Sequence, residues 1–105
     1  MSPSPITVRH EGAVTVVTLN DGRANALDTA MLRALVDTAE AVEGAQAVLL
    51  CGREKVFCGG LDLEHVLGLD APSMSAFLDL FHDAMMAWLC LSSPVVTCVS
   101  GSAVA

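Results

Sequence analysis

Positive charge is scarce in this 105-residue sequence: five Lys and Arg stand against twelve Asp and Glu, for a net charge of −7. A protein that grips a phosphate backbone or an anionic membrane surface needs the opposite balance, so nucleic acid and membrane are poor partners. An anionic ligand would have to be met locally, by Arg23 or by backbone N–H groups. Closely spaced cysteines are absent too. Cys51, Cys58, Cys90 and Cys98 include no CxxC pair, and His10, His65 and His82 fall at no metal-ligand spacing. Metal and redox centres therefore lose their usual basis in sequence, and the four thiols are expected to be buried and free. Met1 to Pro5 lacks a basic segment followed by an apolar run, which argues against a secretory signal and leaves the cytoplasm as the default location. No linker, internal repeat or low-complexity segment divides the chain, so residues 1–105 are taken as one domain at most.

Apolar residues are plentiful instead, at 53% of the sequence with a mean hydropathy of +0.59. That is too apolar for disorder. Yet a chain this short buries markedly less of its surface than a larger domain does, so the surplus of apolar residues suggests missing structure. The longest uncharged stretch, Ala84 to Ala105, is long enough to span a bilayer. Ser92, Ser93 and Pro94 interrupt its middle and Ser100, Gly101 and Ser102 lie near its end, so it is expected to form a buried helix, a turn and a buried strand rather than a membrane span.

The pattern along the chain alternates strand and helix. Ile6–His10 and Ala13–Asn20 are β-rich around the turn signal Glu11-Gly12, which predicts a hairpin. Leu27, Met31, Leu35 and Ala39 recur at helical spacing with Asp28 as cap and Gly44 as stop. The continuous apolar run Ala47-Val48-Leu49-Leu50, within a strand expected over Ala45 to Cys51, suits a parallel strand buried on both faces. Asp62–Leu67 is a short helix opened by a good capping residue. Ser73–Leu91 is a longer helix with Met74, Phe77, Leu78, Phe81, Met85, Trp88 and Leu89 as its apolar face, and Val95–Ser100 is a further buried strand.

Between the third strand and the short helix lies Phe57-Cys58-Gly59-Gly60-Leu61-Asp62-Leu63. Paired glycines let a ligand approach the backbone closely, and the helix that follows begins with unsatisfied N–H groups of partial positive charge. Such a loop can offer a peptide N–H to an oxygen that gains negative charge during reaction. A tight strand-to-helix turn explains the same residues without any chemistry.

Val14-Thr15-Val16-Val17-Thr18-Leu19-Asn20, Asn25-Ala26-Leu27-Asp28, Ala47-Val48-Leu49-Leu50-Cys51-Gly52, the Phe57–Leu63 loop, Pro94-Val95-Val96 and Ser100-Gly101-Ser102-Ala103 together resemble, in order and spacing, the amino-terminal portion of the crotonase (enoyl-CoA hydratase/isomerase) superfamily. The resemblance covers nearly the whole chain. It implies an α/β fold, an incomplete crotonase-like ββα spiral, and an acyl-CoA thioester as ligand, with CoA part of the substrate and no separate cofactor or metal. By position, the Leu61 backbone N–H would be one of two oxyanion donors. Gly59 and Gly60 would line the acyl-pantetheine path, Ala26 would contact CoA, and Arg23 would meet a CoA phosphate. Asp62 belongs to the same candidate set, although helix capping is its simpler role. Glu64 and His65 are expected to face solvent or a neighbouring subunit, and Trp88 to be a core or subunit-contact residue.

The sequence departs from the family at Gly59, where alanine is commoner. After Gly101-Ser102-Ala103-Val104-Ala105 the family continues into a glycine-rich turn with the second donor and, beyond it, the glutamates that move protons. The resemblance thus implies an enoyl-CoA hydratase first and an isomerase second, here as a fragment lacking the catalytic acids, whose full-length form is a homo-oligomer. Two other readings stand beside it: a non-catalytic acyl-CoA-binding module, and a truncated product that folds only with a partner.

Overall fold

The computed structural model describes residues 4–104; Met1–Pro3, most of the stretch read against a leader segment, and Ala105 lie outside the described residues. β1 (Ile6–Glu11) and β2 (Val14–Leu19) form the expected antiparallel hairpin, in register from Ile6 opposite Leu19 to Glu11 opposite Val14. α1 (Thr29–Val42) starts where Asp28 accepts a hydrogen bond from the Met31 N–H at 2.8 Å. Met31, Leu32, Leu35, Ala39 and Val42 follow at helical spacing and are all buried. After Gly44 the chain returns as β3 (Ala47–Cys51), parallel to β2. β4 (Val56–Cys58), α2 (Leu63–Leu67), α3 (Ala71–Leu89), β5 (Val95–Cys98) and β6 (Ser102–Ala103) complete the order.

Two strands followed by a helix is the repeating unit. β1 and β2 precede α1, β3 and β4 precede α2 and α3, and β5 and β6 open a further turn. The first strand of each later unit joins one sheet, in the order β1-β2-β3-β5, and the second strand joins a small parallel sheet of β4 and β6. This is the ββα spiral that the resemblance implies. The core lies where Ile6, Val17, Leu19 and Val48 of the large sheet meet Leu27, Met31, Leu32, Leu35 and Val42, closed by Phe77 and Ala84 from α3. Trp88, expected as a core or subunit-contact residue, is half-buried against the core, and its indole N–H donates to the Leu35 carbonyl at 2.9 Å, which ties α3 to α1.

Several expectations need correction. Val56–Cys58 is a strand, not part of a loop. β3 is buried mainly through Val48. Its side chains alternate faces, and the helices cover only the face that Val48 and Leu50 share. β5 is exposed because it ends the sheet order, with Val96 64% exposed. On α3, Phe77 and Ala84 are buried while Leu78, Met85 and Leu89 stand exposed, since α1 covers one side of the helix only. The cysteines are free, but Cys51 and Cys58 are half-buried and Cys90 and Cys98 exposed, so the expected burial does not hold. Among the described residues no helix is long and apolar enough to cross a membrane, and no group of side chains is placed to hold a metal ion.

Candidate functional site

Two loops meet beside the small sheet. The first, 20–26, is closed by its own side chains. Asn20 Oδ1 accepts from the Gly22 N–H at 3.0 Å, and Asp21 Oδ1 accepts from the N–H groups of Arg23 at 2.7 Å and Asn25 at 3.1 Å. Asn25 is fully buried and holds a left-handed φ of 53°, a conformation that asparagine tolerates better than most residues. Its amide accepts from the Asp21 N–H at 3.0 Å and donates to the carbonyls of Leu19 at 2.9 Å and Phe57 at 3.1 Å. One side chain therefore pins the loop both to the end of β2 and to β4. Sequence reasoning used Asn25 only as part of a motif. Its position in a polar turn beside Gly22 was the available signal for a left-handed residue.

The second loop carries Gly59, Gly60 and Leu61. A Cβ on Gly59 would lie 2.9 Å from the Ala24 carbonyl oxygen, so glycine lets the two loops close on each other here. Gly60 takes a φ of +80°, which L side chains rarely adopt, and this reverses the chain after β4. Leu61 then forms a parallel bridge with Leu27: the Leu27 N–H donates to the Gly60 carbonyl at 2.7 Å, and the Asp62 N–H donates to the Leu27 carbonyl at 3.0 Å. Because successive backbone groups point to opposite sides of an extended strand, the Leu61 N–H faces away from Leu27. Among the described residues it donates to no acceptor. Leu61 is half-buried, and its amide stays without a partner in the chain while the Gly60 carbonyl and the Asp62 N–H on either side are bonded.

The other candidates divide. Ala26 and Gly59 come together with Leu61 through the bridge and the close approach at Ala24. Asp62 caps α2 by accepting from the His65 N–H at 3.1 Å, and α2 is only five residues long, so its first turn is occupied by its own cap. Glu64 is exposed. His65, expected to face solvent or a neighbouring subunit, is half-buried within the chain: its Nε2 lies 2.8 Å from Thr29 Oγ1 and its ring centroid 5.6 Å from that of Phe77, which fastens α2 to the start of α1 and to α3. Arg23 is exposed at the rim, and its carbonyl accepts from the Arg53 guanidinium. Arg53 was missed because its nearness to Arg23 depends on how β4 folds back from β3. Glu54 and Lys55 follow Arg53 in the same segment, and among the described residues no carboxylate pairs with Arg23, Arg53 or Lys55. β6 runs parallel to β4, with the Val104 N–H donating to the Cys58 carbonyl at 2.8 Å, so the later chain passes directly beside this loop.

A family model described as enoyl-CoA hydratase/isomerase matches residues 9–105. A probable enoyl-CoA hydratase of Mycobacterium tuberculosis is 33% identical over 105 residues, an alignment covering 95% of this chain and 41% of the relative. One from Rhizobium meliloti is 32% identical over 111 residues, covering 98% and 41%. Among solved structures, an enoyl-CoA hydratase from Bacillus anthracis superposes with a TM-score of 0.83 at 28% identity, covering 92% of this chain and 40% of that one. An enoyl-CoA hydratase/carnithine racemase from Magnetospirillum magneticum gives 0.84 at 30%, covering 93% and 39%. The chain thus spans about 41% of the length of the curated relatives it matches.

Proposed function

Because this chain belongs to the enoyl-CoA hydratase/isomerase family, as the amino-terminal portion of the crotonase fold, we propose that it binds an acyl-CoA thioester with the thioester oxygen at the Leu61 N–H. The observation that carries this reading is the unpaired amide of Leu61, held between two bonded neighbours. Removing one proton next to a thioester, or adding water across a conjugated double bond, places negative charge on that oxygen. A fixed donor aimed at it contributes about 3–4 kcal/mol at the transition state, because the protein need not reorganise as charge develops. Gly59, Gly60 and Ala26, which flank Leu61 and its bridge partner Leu27, are the residues we assign to the path of the pantetheine arm. Arg23, joined by Arg53, faces the phosphates of CoA in an otherwise acidic chain. CoA enters as part of the substrate, and no separate cofactor is needed.

Proton transfer is the part this chain's own residues support least. Asp62 is engaged as a cap and His65 with Thr29, while Glu64 points to solvent. Those engagements favour binding and polarisation of the thioester here. In the family resemblance, the second donor and the acid and base groups come from further along the fold. Hydration is the reaction we place first and double-bond isomerisation second, with a non-catalytic acyl-CoA-binding role as the reading for the 105 residues alone. Titrating the chain with an acyl-CoA and with its thioether analogue, which lacks the carbonyl, tests this. Tighter binding of the thioester supports it, and equal affinities would remove Leu61 from the site.

A further inference from the structure

Away from the two loops, the large sheet brings together two thiols that are far apart in sequence. Val48, Leu49 and Leu50 pair with Val95, Val96 and Thr97, and the last pair in this register is Cys51 opposite Cys98. In-register residues on parallel strands project from the same face. Strands about 4.8 Å apart bring the two α-carbons within the roughly 4.4–6.8 Å that a disulfide spans. Both thiols are free, Cys51 half-buried and Cys98 exposed. Burial pushes the Cys51 thiol up, and the Cys98 thiol beside it pushes in the same direction, against a smaller opposing effect of Arg9. Neither remaining cysteine has such a neighbour among the described residues: Cys58 stands opposite Ala103, and Cys90 caps the exposed end of α3.

We propose that Cys51 and Cys98 are a redox pair that closes to a disulfide by exchange with a low-molecular-weight disulfide such as oxidised glutathione. Cys98, the more accessible, attacks as thiolate at one sulfur of the small disulfide. The S–S bond there breaks, and one small thiol leaves with the bonding pair and takes up a proton. Cys51 gives its proton to solvent and attacks Cys98 Sγ in the mixed disulfide, expelling the second small thiol. Two protein thiols are oxidised by two electrons and one small disulfide is reduced to two thiols, so the balance closes without metal or oxygen. The bond is reversed by excess thiol through the same exchange. It ties β3 to β5 at the ends from which the chain passes into β4 and β6, the small sheet beside the Leu61 loop.

The test is to treat the reduced chain with oxidised glutathione, alkylate the remaining thiols and map the peptides by mass. The expected product is a Cys51–Cys98 linked peptide lighter by two hydrogens, with Cys58 and Cys90 alkylated and the link undone by dithiothreitol. Cys51→Ser should trap glutathione on Cys98, and Cys98→Ser should leave Cys51 alkylated. Alkylation at all four positions, stable glutathione on Cys98 in the unaltered chain, or linkage chiefly through Cys90 would overturn the proposal. Should Cys51→Ser fail to fold, the map of the unaltered chain and of Cys98→Ser decides alone.

Discussion

α1 and α3 lie against each other, yet they spend their apolar residues differently. α1 alternates a core face of Met31, Leu32, Leu35, Ala39 and Val42 with a polar face that includes Arg33, Asp37 and Glu40, and every member of the core face is buried. α3 is longer and apolar on more than one side, but of its residues only Phe77 and Ala84 are fully buried; Leu78, Met85, Met86 and Leu89 are exposed. A helix with one apolar stripe completes its packing against one neighbour, whereas a helix apolar on several sides needs several. Leu32 and Leu89 make the contrast concrete, one inaccessible to solvent and the other 78% exposed. Apolar composition alone does not reveal which leucines stabilise the fold.

The largest expected effect falls on that pair. Leu32→Ala should cost about 2–5 kcal/mol, the transfer of the lost side chain plus the cavity it leaves, while Leu89→Ala should stay within about 0.5 kcal/mol. Denaturant unfolding of both variants checks this, and equal losses would erase the distinction between the two helices. Next comes Asn25→Ala, which deprives the Leu19 and Phe57 carbonyls of their donor and leaves a left-handed residue without local support. We expect a loss of about 1–3 kcal/mol, together with weaker acyl-CoA binding because loop 20–26 is no longer pinned to β4. Gly60→Ala should cost about 1–2 kcal/mol through its positive φ. If its stability matched that of the parent, the loop would not depend on that reversal.

The smallest effect concerns the start of α3. The Ser73 hydroxyl and N–H both bond Asp70 and hold its carboxyl below the usual carboxylate range. A carboxyl with a lowered folded-state pKa stabilises the fold above its unfolded pKa, near about 3.9, and loses that contribution as pH falls through the folded value. Unfolding measured across acidic pH should therefore show a slightly shallower loss in Asp70→Asn than in the parent. Identical profiles would assign this cap no part in the acid sensitivity.

Much of this architecture was legible from the residues. The hairpin, α1 with its Asp28 cap, and β3 followed from periodicity and turn chemistry, because each is long enough to display its own pattern. β4 was not, since Val56–Cys58 is too short to show alternation and its pairing with β6 joins distant segments. The Leu61 loop was picked out by two glycines and a motif, but what isolates its amide is the bridge to Leu27, a tertiary fact. The same holds for Asn25, whose partner Phe57 lies on another strand, for Arg53 beside Arg23, and for Cys51 opposite Cys98. Exposure along β5 and α3 was misjudged because hydrophobicity reports what a residue favours, not whether the fold covers it.

The role given to the Leu61 amide is tested most directly by calorimetric titration of an acyl-CoA into the parent chain, Leu61→Ala and Leu61→Pro, each first shown to unfold cooperatively. Alanine keeps the N–H and should bind much as the parent does. Proline removes that donor and should weaken binding by about tenfold, as the loss of one hydrogen bond of about 1.4 kcal/mol requires. Equal binding by the proline variant, or no heat from the parent at millimolar ligand, would contradict a thioester oxygen held at Leu61.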